Sequence, residues 1–316
     1  MKILITGSVG FIGYHLVNQL LRTKHKIYGC DNLSSNSRKT QKKRLKLLNK
    51  NKRFFFKKID IKNFTSFSNY YKSKKIDLII HLAAQPGVRI SQEKPLQTID
   101  QNIKTFINLM EFCKNNKIKN FFYASSSSIY GNKSKFVEKQ VLKKVSSIYA
   151  ASKICNEVFA NVYHFLYGIN TLGLRFFTVY GAYGREDMAY YKFLNQIKKN
   201  KEITIYGNKR SERSFTYIDD VVHSIILLIN KFNKKNNYND CINIGNPKKN
   251  SLNDLINIIK KYYSKNFKEK FFERNKADVL KTHSSIYKLK KNINYFPKTN
   301  LEVGMIKFIE WFKKFS

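Results

Sequence analysis

The sequence predicts an α/β protein: a doubly wound parallel sheet with helices on both faces, followed by a smaller C-terminal lobe. Three observations predict it. Short apolar runs alternate with segments of helical period through the first 177 residues. The strongest runs, such as ILI (3–5) and LIIHLAA (78–84), are almost wholly apolar, as strands buried on both faces are. A glycine triplet, Gly7-x-x-Gly10-x-x-Gly13, stands between the first run and the first helical segment.

The elements follow in order. "KILIT" (2–6) reads as a strand and "FIGYHLVNQLL" (11–21) as a helix, its apolar residues at helical spacing. "KIYGC" (26–30) is a strand, 39–50 a basic helix, and "RFFFKKI" (53–59) a strand. A polar helix near 62–73 precedes the strongly apolar strand "IDLIIHLAA" (76–84). A long helix is expected over about 96–116, then the strand "KNFFYAS" (119–125). The periodic segment 146–168 ends at Gly168, a suitable helix stop, and "NTLGLRFF" (170–177) follows as a strand. Beyond it the rhythm loosens: "EITIYG", "SFTYI" and "CINIG" read as short strands and 219–232 as a helix. No internal repeat or low-complexity linker is present.

Composition narrows the function classes. A chain of 316 residues, 42% hydrophobic, can bury a large core. "MKILITG" enters the first strand directly, so no secretory leader is read, and no stretch reaches the roughly 18 uninterrupted apolar residues of a membrane span. Cys30, Cys113, Cys155 and Cys241 are far apart and form no CxxC pair. Reduced thiols in a cytoplasmic protein, and no metal site, are expected. The net charge of +39 invites a nucleic-acid partner, but the lysines are spread along the whole chain and no recognition motif accompanies them. Neither nucleic acid nor membrane is expected as a partner, although a positive exterior speeds encounter with small anions.

The strand–glycine–helix segment is a cofactor signal. Glycines let the backbone approach a pyrophosphate, and the helix that follows offers unpaired N–H groups. The spacing differs by one residue from the GxGxxG fingerprint, but its context is the one that motif requires. Asp31 closes the second strand, where an acid can accept from the adenosine ribose hydroxyls and repel a 2′-phosphate. NAD is therefore expected rather than NADP; the alternative for Asp31 is a turn residue in "CDNLSS". Asp60 and Ile61, after the third strand, are expected near the adenine.

"YAASK" places Tyr149 and Lys153 on one helix face. An ammonium beside a phenol favours the phenolate, as does an oxidised nicotinamide, so Tyr149 is a candidate general base for a sugar hydroxyl. The spacing alone is common; the glycines before it and the serines of "ASSSSIYG" (124–131) give it weight.

With "TGSVGFIG", "HLAAQPGVR", "ASSSSIYG", "YAASK", "LRFFTVYG" and "RSFTYIDD", the chain resembles the extended short-chain dehydrogenase/reductases that act on nucleotide sugars, over essentially its whole length. The resemblance implies a Rossmann-type NAD domain over 1–175 plus about 218–246. It implies a nucleotide-sugar lobe over about 176–217 plus 247–316. It also implies a homodimer joined through helices near 96–116 and 148–167. Ser126 takes the place of the family's catalytic Ser or Thr, and Ser125 is expected to support the turn. NAD contacts are implied for Gly7, Gly10, Phe11, Ile12, Gly13, Asp31, Asn32, Asp60, Ile61, Leu82, Ala83, Ala84, Asn102, Tyr149 and Lys153.

Relatives that dehydrate nucleotide sugars carry Asp-Glu where Ser127 and Ser128 stand, and UDP-glucuronate decarboxylases carry Glu at Ser128. Hydroxyls here leave C4 oxidation, rotation of the keto sugar and hydride return: a 4-epimerase. "HLAAQPGVR", "SIYAASK" and "LRFFTVYGAYGREDMA" are most similar to UDP-glucuronate 4-epimerases, which implies a UDP-sugar acid as substrate. Arg185 and Arg89 are candidates to grip the C6 carboxylate, with structural ion pairing the alternative for each. The 4-keto intermediate is a β-keto acid. Holding its carboxylate near the ketone plane through Ser127, Ser128, Thr178 or an arginine would hinder loss of carbon dioxide. Arg213 matches the family's diphosphate arginine and Asp278 its ribose aspartate. Tyr206 is expected near the uracil, with a core aromatic as the alternative. Asn275, Ala277 and Ala182 depart from the family's Arg or Gln, Gly and Pro. A different UDP-hexose, a decarboxylase or dehydratase, and a non-catalytic basic nucleotide- or nucleic-acid-binding protein are the competing readings.

Overall fold

Lys2–Thr6 forms β1 with Ile3, Leu4 and Ile5 wholly buried, the signature of a central parallel strand. The structure is a computed structural model, and it describes residues 1–34, 38–131, 136–140, 145–263, 266–275 and 281–315. After β1 come α1 (Phe11–Leu20), β2 (Lys26–Asp31), α2 (Arg38–Leu48), β3 (Phe54–Lys58) and α3 (Phe64–Tyr71). β4 (Leu78–His81) leads to the short α4 (Val88–Glu93) and α5 (Pro95–Ile99), then α6 (Thr105–Asn115), β5 (Asn120–Ser126), α7 (Ile148–Tyr167) and β6 (Asn170–Phe176). The remainder is β7 (Thr178–Tyr180), α8 (Ala189–Lys198), β8 (Ile203–Tyr206), β9 (Glu212–Arg213), β10 (Phe215–Tyr217), α9 (Ile218–Phe232) and β11 (Asn239–Ile244). It ends with β12 (Asn250–Ser251), α10 (Leu252–Tyr263), β13 (Glu269–Phe272), α11 (Tyr287–Ile293) and α12 (Leu301–Phe315).

The chain divides into two compact units. The first comprises Met1–Gly131, Val141–Phe176 and Ile225–Ile242. It holds a seven-stranded sheet in the order β11-β6-β5-β4-β1-β2-β3. The β1–β2, β1–β4, β2–β3, β4–β5 and β5–β6 ladders are all parallel, so the doubly wound fold read from the sequence is the one observed. Strand order reverses between β1 and β4, and the crevice beyond their carboxyl ends is where such sheets bind ligands. On one face Phe67, Phe106, Phe112, Phe121 and Tyr123 pack as one apolar cluster. β3 is one of the two edge strands, and its Lys57 and Lys58 are exposed, which discourages pairing with another sheet.

One element differs from expectation. The helix over 96–116 is not uniform: a π-helical turn, Asp100–Lys104, separates α5 from α6. Such a turn takes in an extra residue, and here it carries Asn102, which is fully buried.

The second unit comprises Asn132–Gln140, Phe177–Ser224 and Asn243–Ser316. Its strands form three two-stranded pairs, β7–β10 and β8–β13 parallel and β9–β12 antiparallel. Tyr190 and Tyr191 of α8 pack their rings on Phe308 of α12, at centroid distances of 4.9 and 5.5 Å. No helix among the described residues is long and apolar enough to cross a membrane.

Candidate active site

The glycine turn closes β1 onto α1. Gly7 has φ +66°, and the Gly10 N–H donates to its carbonyl at 2.9 Å. A Cβ on Gly7 would lie 2.7 Å from the backbone nitrogen of Ala83, in the loop after β4. A Cβ on Gly13 would overlap the Gly7 carbonyl oxygen. The two loops at the sheet's reversal point therefore approach as closely as backbones can, which only glycine permits. Gly10 caps α1 without a side-chain bond, and the first turn, with Phe11 buried and Ile12 half-buried, holds no acid. This cradle fits the pyrophosphate of NAD.

Asp31 ends β2 beside that turn. Its carboxylate accepts from the Leu33 N–H at 2.9 Å and from Gln41 Nε2 at 3.4 Å. Burial raises the carboxyl above its ordinary range; the Leu33 and Val9 N–H groups, Arg44 and Gln41 pull the other way. Arg44 was not read from the sequence. It lies buried and donates through Nη1 to the Val9 carbonyl at 2.8 Å, bracing the turn from α2. The lysine-rich "QKKRLK" around it hides an inward-facing cation.

Asn32 Nδ2 donates to Asp60 at 3.4 Å, and the Ile61 carbonyl accepts from Asn108 Nδ2 at 2.8 Å. Leu82, Ala83 and Ala84 follow β4 half-buried. The Ala83 N–H donates to Thr6 Oγ1 at 3.2 Å, and that hydroxyl lies 2.7 Å from His81 Nδ1. Burial, and then the charge of Lys153, pulls His81 down to about 3, so the imidazole is neutral. Asn102 is occupied by protein: Oδ1 accepts from the Gln85 N–H at 2.7 Å, while Nδ2 donates to the Gln85 carbonyl at 3.2 Å and to Ser152 Oγ at 3.0 Å. Its amide fastens the loop after β4 to α7.

α7 carries Tyr149 and Lys153, the pair expected to transfer the proton. Ser147 caps it, accepting from the Ala150 N–H at 3.1 Å, and Tyr149 lies in the first turn. Lys153, one turn on, is 1% exposed, and its Nζ stands 5.8 Å from the Tyr149 ring centroid. Burial lowers Lys153 to about 8, with Glu157 opposing the fall. At the end of β5, Ser126 caps a short 3-10 turn, Ser127–Tyr130. Ser126 Oγ accepts from the Ser128 N–H at 3.2 Å and donates to Ser128 Oγ at 3.2 Å. Ser126 and Ser127 are buried and Ser128 half-buried. Ser125 points to a carboxylate, donating to Glu157 at 2.6 Å.

The expected sugar-nucleotide residues lie on several elements. Arg89 is half-buried in α4 of the first unit. In the second, Thr178 begins β7 opposite Phe215. Arg185 forms a two-pronged ion pair with Asp187, Nε at 3.0 Å and Nη2 at 2.6 Å. Burial would raise the Asp187 carboxyl, but Arg185 holds it below its ordinary value. Tyr206 ends β8 opposite Phe272, with Lys192 Nζ 5.1 Å from its ring centroid. Arg213, in β9, donates through Nη1 to the Glu212 carbonyl at 2.9 Å. Asp278 and Ala277 lie outside the described residues.

The chain is similar to several known proteins. A UDP-glucuronate 4-epimerase of Thermodesulfobacterium geofontis is 37% identical over 314 residues, covering 98% of this chain and 96% of its own length. An uncharacterised protein of Methanocaldococcus jannaschii is 42% identical over 316 residues, covering 98% and 96%. The crystal structure of UDP-glucuronic acid 4-epimerase from Bacillus cereus, in complex with UDP-glucuronic acid and NAD, aligns over 100% of both chains with a TM-score of 0.94 and 33% identity. The family profile matches residues 3–245, from β1 to the residue after β11, and so the chain belongs to the NAD dependent epimerase/dehydratase family.

Proposed function

We propose that the protein interconverts UDP-glucuronate and UDP-galacturonate at C4. The observation that carries this reading is the pairing of Tyr149 with the buried Lys153 on α7, while the end of β5 offers only the hydroxyls of Ser126, Ser127 and Ser128. Those groups suit the withdrawal and return of one proton. No carboxylate stands at Ser127 or Ser128 for a further elimination. When bound, NAD supplies the hydride acceptor at C4 and the donor on return. Tyr149 takes the C4 hydroxyl proton and gives it back on the opposite face, with the Lys153 ammonium favouring the phenolate. Ser126 Oγ hydrogen-bonds the C4 oxygen.

The glycine turn, Asp31 and the loop Leu82–Ala84 hold the dinucleotide. Arg213 and Tyr206 serve the uridine diphosphate, and Thr178, Arg89 and Arg185 the C6 carboxylate. The acid substrate is supported by the names of the Thermodesulfobacterium and Bacillus proteins and by the suitability of a guanidinium fork for a carboxylate. The protein acts in the cytoplasm as a homodimer through α5–α6 and α7. The test is incubation of purified protein with UDP-glucuronate, without added NAD, followed by NMR of the products. UDP-galacturonate is expected; UDP-xylose or UDP-arabinose would overturn the assignment. A second reading, a neutral UDP-hexose, is favoured by one observation, the engagement of the Arg185 fork by Asp187. Faster turnover of UDP-glucose in the same assay would establish it.

A further inference from the structure

We propose that Glu157 and Arg175 are positioning residues that lock the proton-transfer helix to the serine turn. The inference rests on the reading of Tyr149, Lys153 and Ser126 given above. Tyr149, Lys153 and Glu157 recur every four residues on α7, so they share one stripe of the helix. The Glu157 carboxylate accepts three hydrogen bonds: Ser125 Oγ at 2.6 Å, Arg175 Nε at 2.9 Å and Arg175 Nη2 at 2.7 Å. The remaining arm of the guanidinium, Nη1, donates to Tyr130 Oη at 2.8 Å. Both charged side chains are largely withdrawn from water, 5% exposed for Arg175 and 11% for Glu157.

Together the bonds tie β5, the 3-10 turn, β6 and α7 to the same two charges. Ser125 and Arg175 are register partners across β5 and β6. Ser125 immediately precedes Ser126, and Tyr130 closes the 3-10 turn that Ser126 caps. The cluster therefore fixes, relative to one another, the strand end that presents Ser126, the turn that presents Ser127 and Ser128, and the helix that presents Tyr149 and Lys153. Charge-assisted, two-pronged bonds hold direction as well as distance, and a proton relay needs both.

The pair also acts through charge. The groups around Lys153 are Tyr149 and Glu157 on α7 and the neutral His81 on β4. Those around Glu157 and Arg175 include, among the described residues, Tyr123 on β5, Tyr130 in the turn and Cys241 on β11; burial keeps the Tyr123 phenol and the Cys241 thiol neutral. Among the described residues Glu157 is the anion whose charge raises Lys153, and its field helps keep Lys153 an ammonium.

Two variants separate the two effects. Ser125→Ala removes the tie to the strand and keeps the charges. It should lower kcat about tenfold with KM for the UDP-sugar unchanged, leaving the Lys153 titration in place. Glu157→Gln should lower kcat more, and should move the Lys153 inflection to lower pH by about one unit. That inflection is read by NMR of protein carrying 13Cε-lysine, with the resonance assigned by its loss in Lys153→Met. The NMR measurement needs no turnover, so a failure of the proposed substrate does not decide it. If Glu157→Gln does not fold, Ser125→Ala decides alone. Wild-type kcat in Ser125→Ala, or an unmoved Lys153 inflection in folded Glu157→Gln, would overturn the proposal.

Discussion

In the proposed reaction the Lys153 ammonium favours the phenolate, and on the fold it is a burden. Burial brings it from 10.5 to about 8, so between those values the unfolded chain holds a proton that the folded chain has released. Stability therefore rises with pH across that window, and below about 8 the folded state carries the full penalty, on the order of 3 kcal/mol. Lys153→Met fills the same space without the charge, and Glu157 keeps its bonds to Ser125 and Arg175. The variant should melt a few degrees higher than wild type at pH 7, with the gap closing towards pH 10, while kcat falls by at least a hundredfold. Differential scanning calorimetry across pH, beside product NMR, checks both halves. Tyr149 and Lys153 were legible as a spacing on one helix. The depth of Lys153 was not, because burial depends on elements distant in sequence. For the same reason Arg175 passed as a member of the apolar run "NTLGLRFF": its anion lies 18 positions earlier in the chain.

Elements of the first unit could be read because strands buried on both faces must be apolar and the helices between them must be amphipathic. β1 to β6, α1, α3 and α7 all lie where that pattern puts them. In the second unit β8 and β10 were also legible, whereas its helices α10 and α12 were obscured by lysine and asparagine. α12 buries Leu301, Met305, Phe308, Ile309 and Phe312, a regular helical stripe that basic and acidic neighbours interrupt. α10 begins with a reciprocal cap, the Ser251 N–H on Asp254 at 2.8 Å and the Asp254 N–H on Ser251 Oγ at 3.1 Å, which a search for Ser followed by Glu or Gln passes over. The π-helical turn at Asp100–Lys104 had no sequence signal either. Its consequence is testable at Asn102. Alanine there strands the Gln85 N–H and carbonyl and removes the donor to Ser152 Oγ, which keeps its own bond to the Tyr149 carbonyl, and should cost about 1–3 kcal/mol in urea unfolding. Because the Gln85 loop follows Leu82–Ala84, the purified variant should also retain less NAD, measured by absorbance after denaturation.

At the scale of the molecule, charge and apolar surface pull in opposite directions. α7 presents Val158, Val162, Phe165 and Leu166 outward, with Phe165 84% exposed, and α5 adds Leu96 at 77%. Four apolar residues at helical spacing on one face form a patch that another protein surface is expected to cover. The proposed homodimer does so with the same stripe from each copy. Yet each copy carries a net charge of +39, so pairing brings together two strongly cationic bodies. Added salt shortens the reach of that repulsion, to about 8 Å at physiological ionic strength, and leaves apolar burial largely intact. The dimer should therefore tighten as sodium chloride rises from 20 to 300 mM (about a fifteenfold increase in ionic strength), the reverse of a salt-bridged interface. Phe165→Glu places a carboxylate at the most exposed residue of the stripe and should yield a monomer at every salt concentration. The glycine turn lies between β1 and α1, and Tyr149 and Lys153 lie in the first two turns of α7, at the other end of that helix from Phe165, so the monomer should keep NAD. Sedimentation velocity across the salt series reads all three outcomes, and a wild-type protein that dissociates on adding salt would refute the apolar interface.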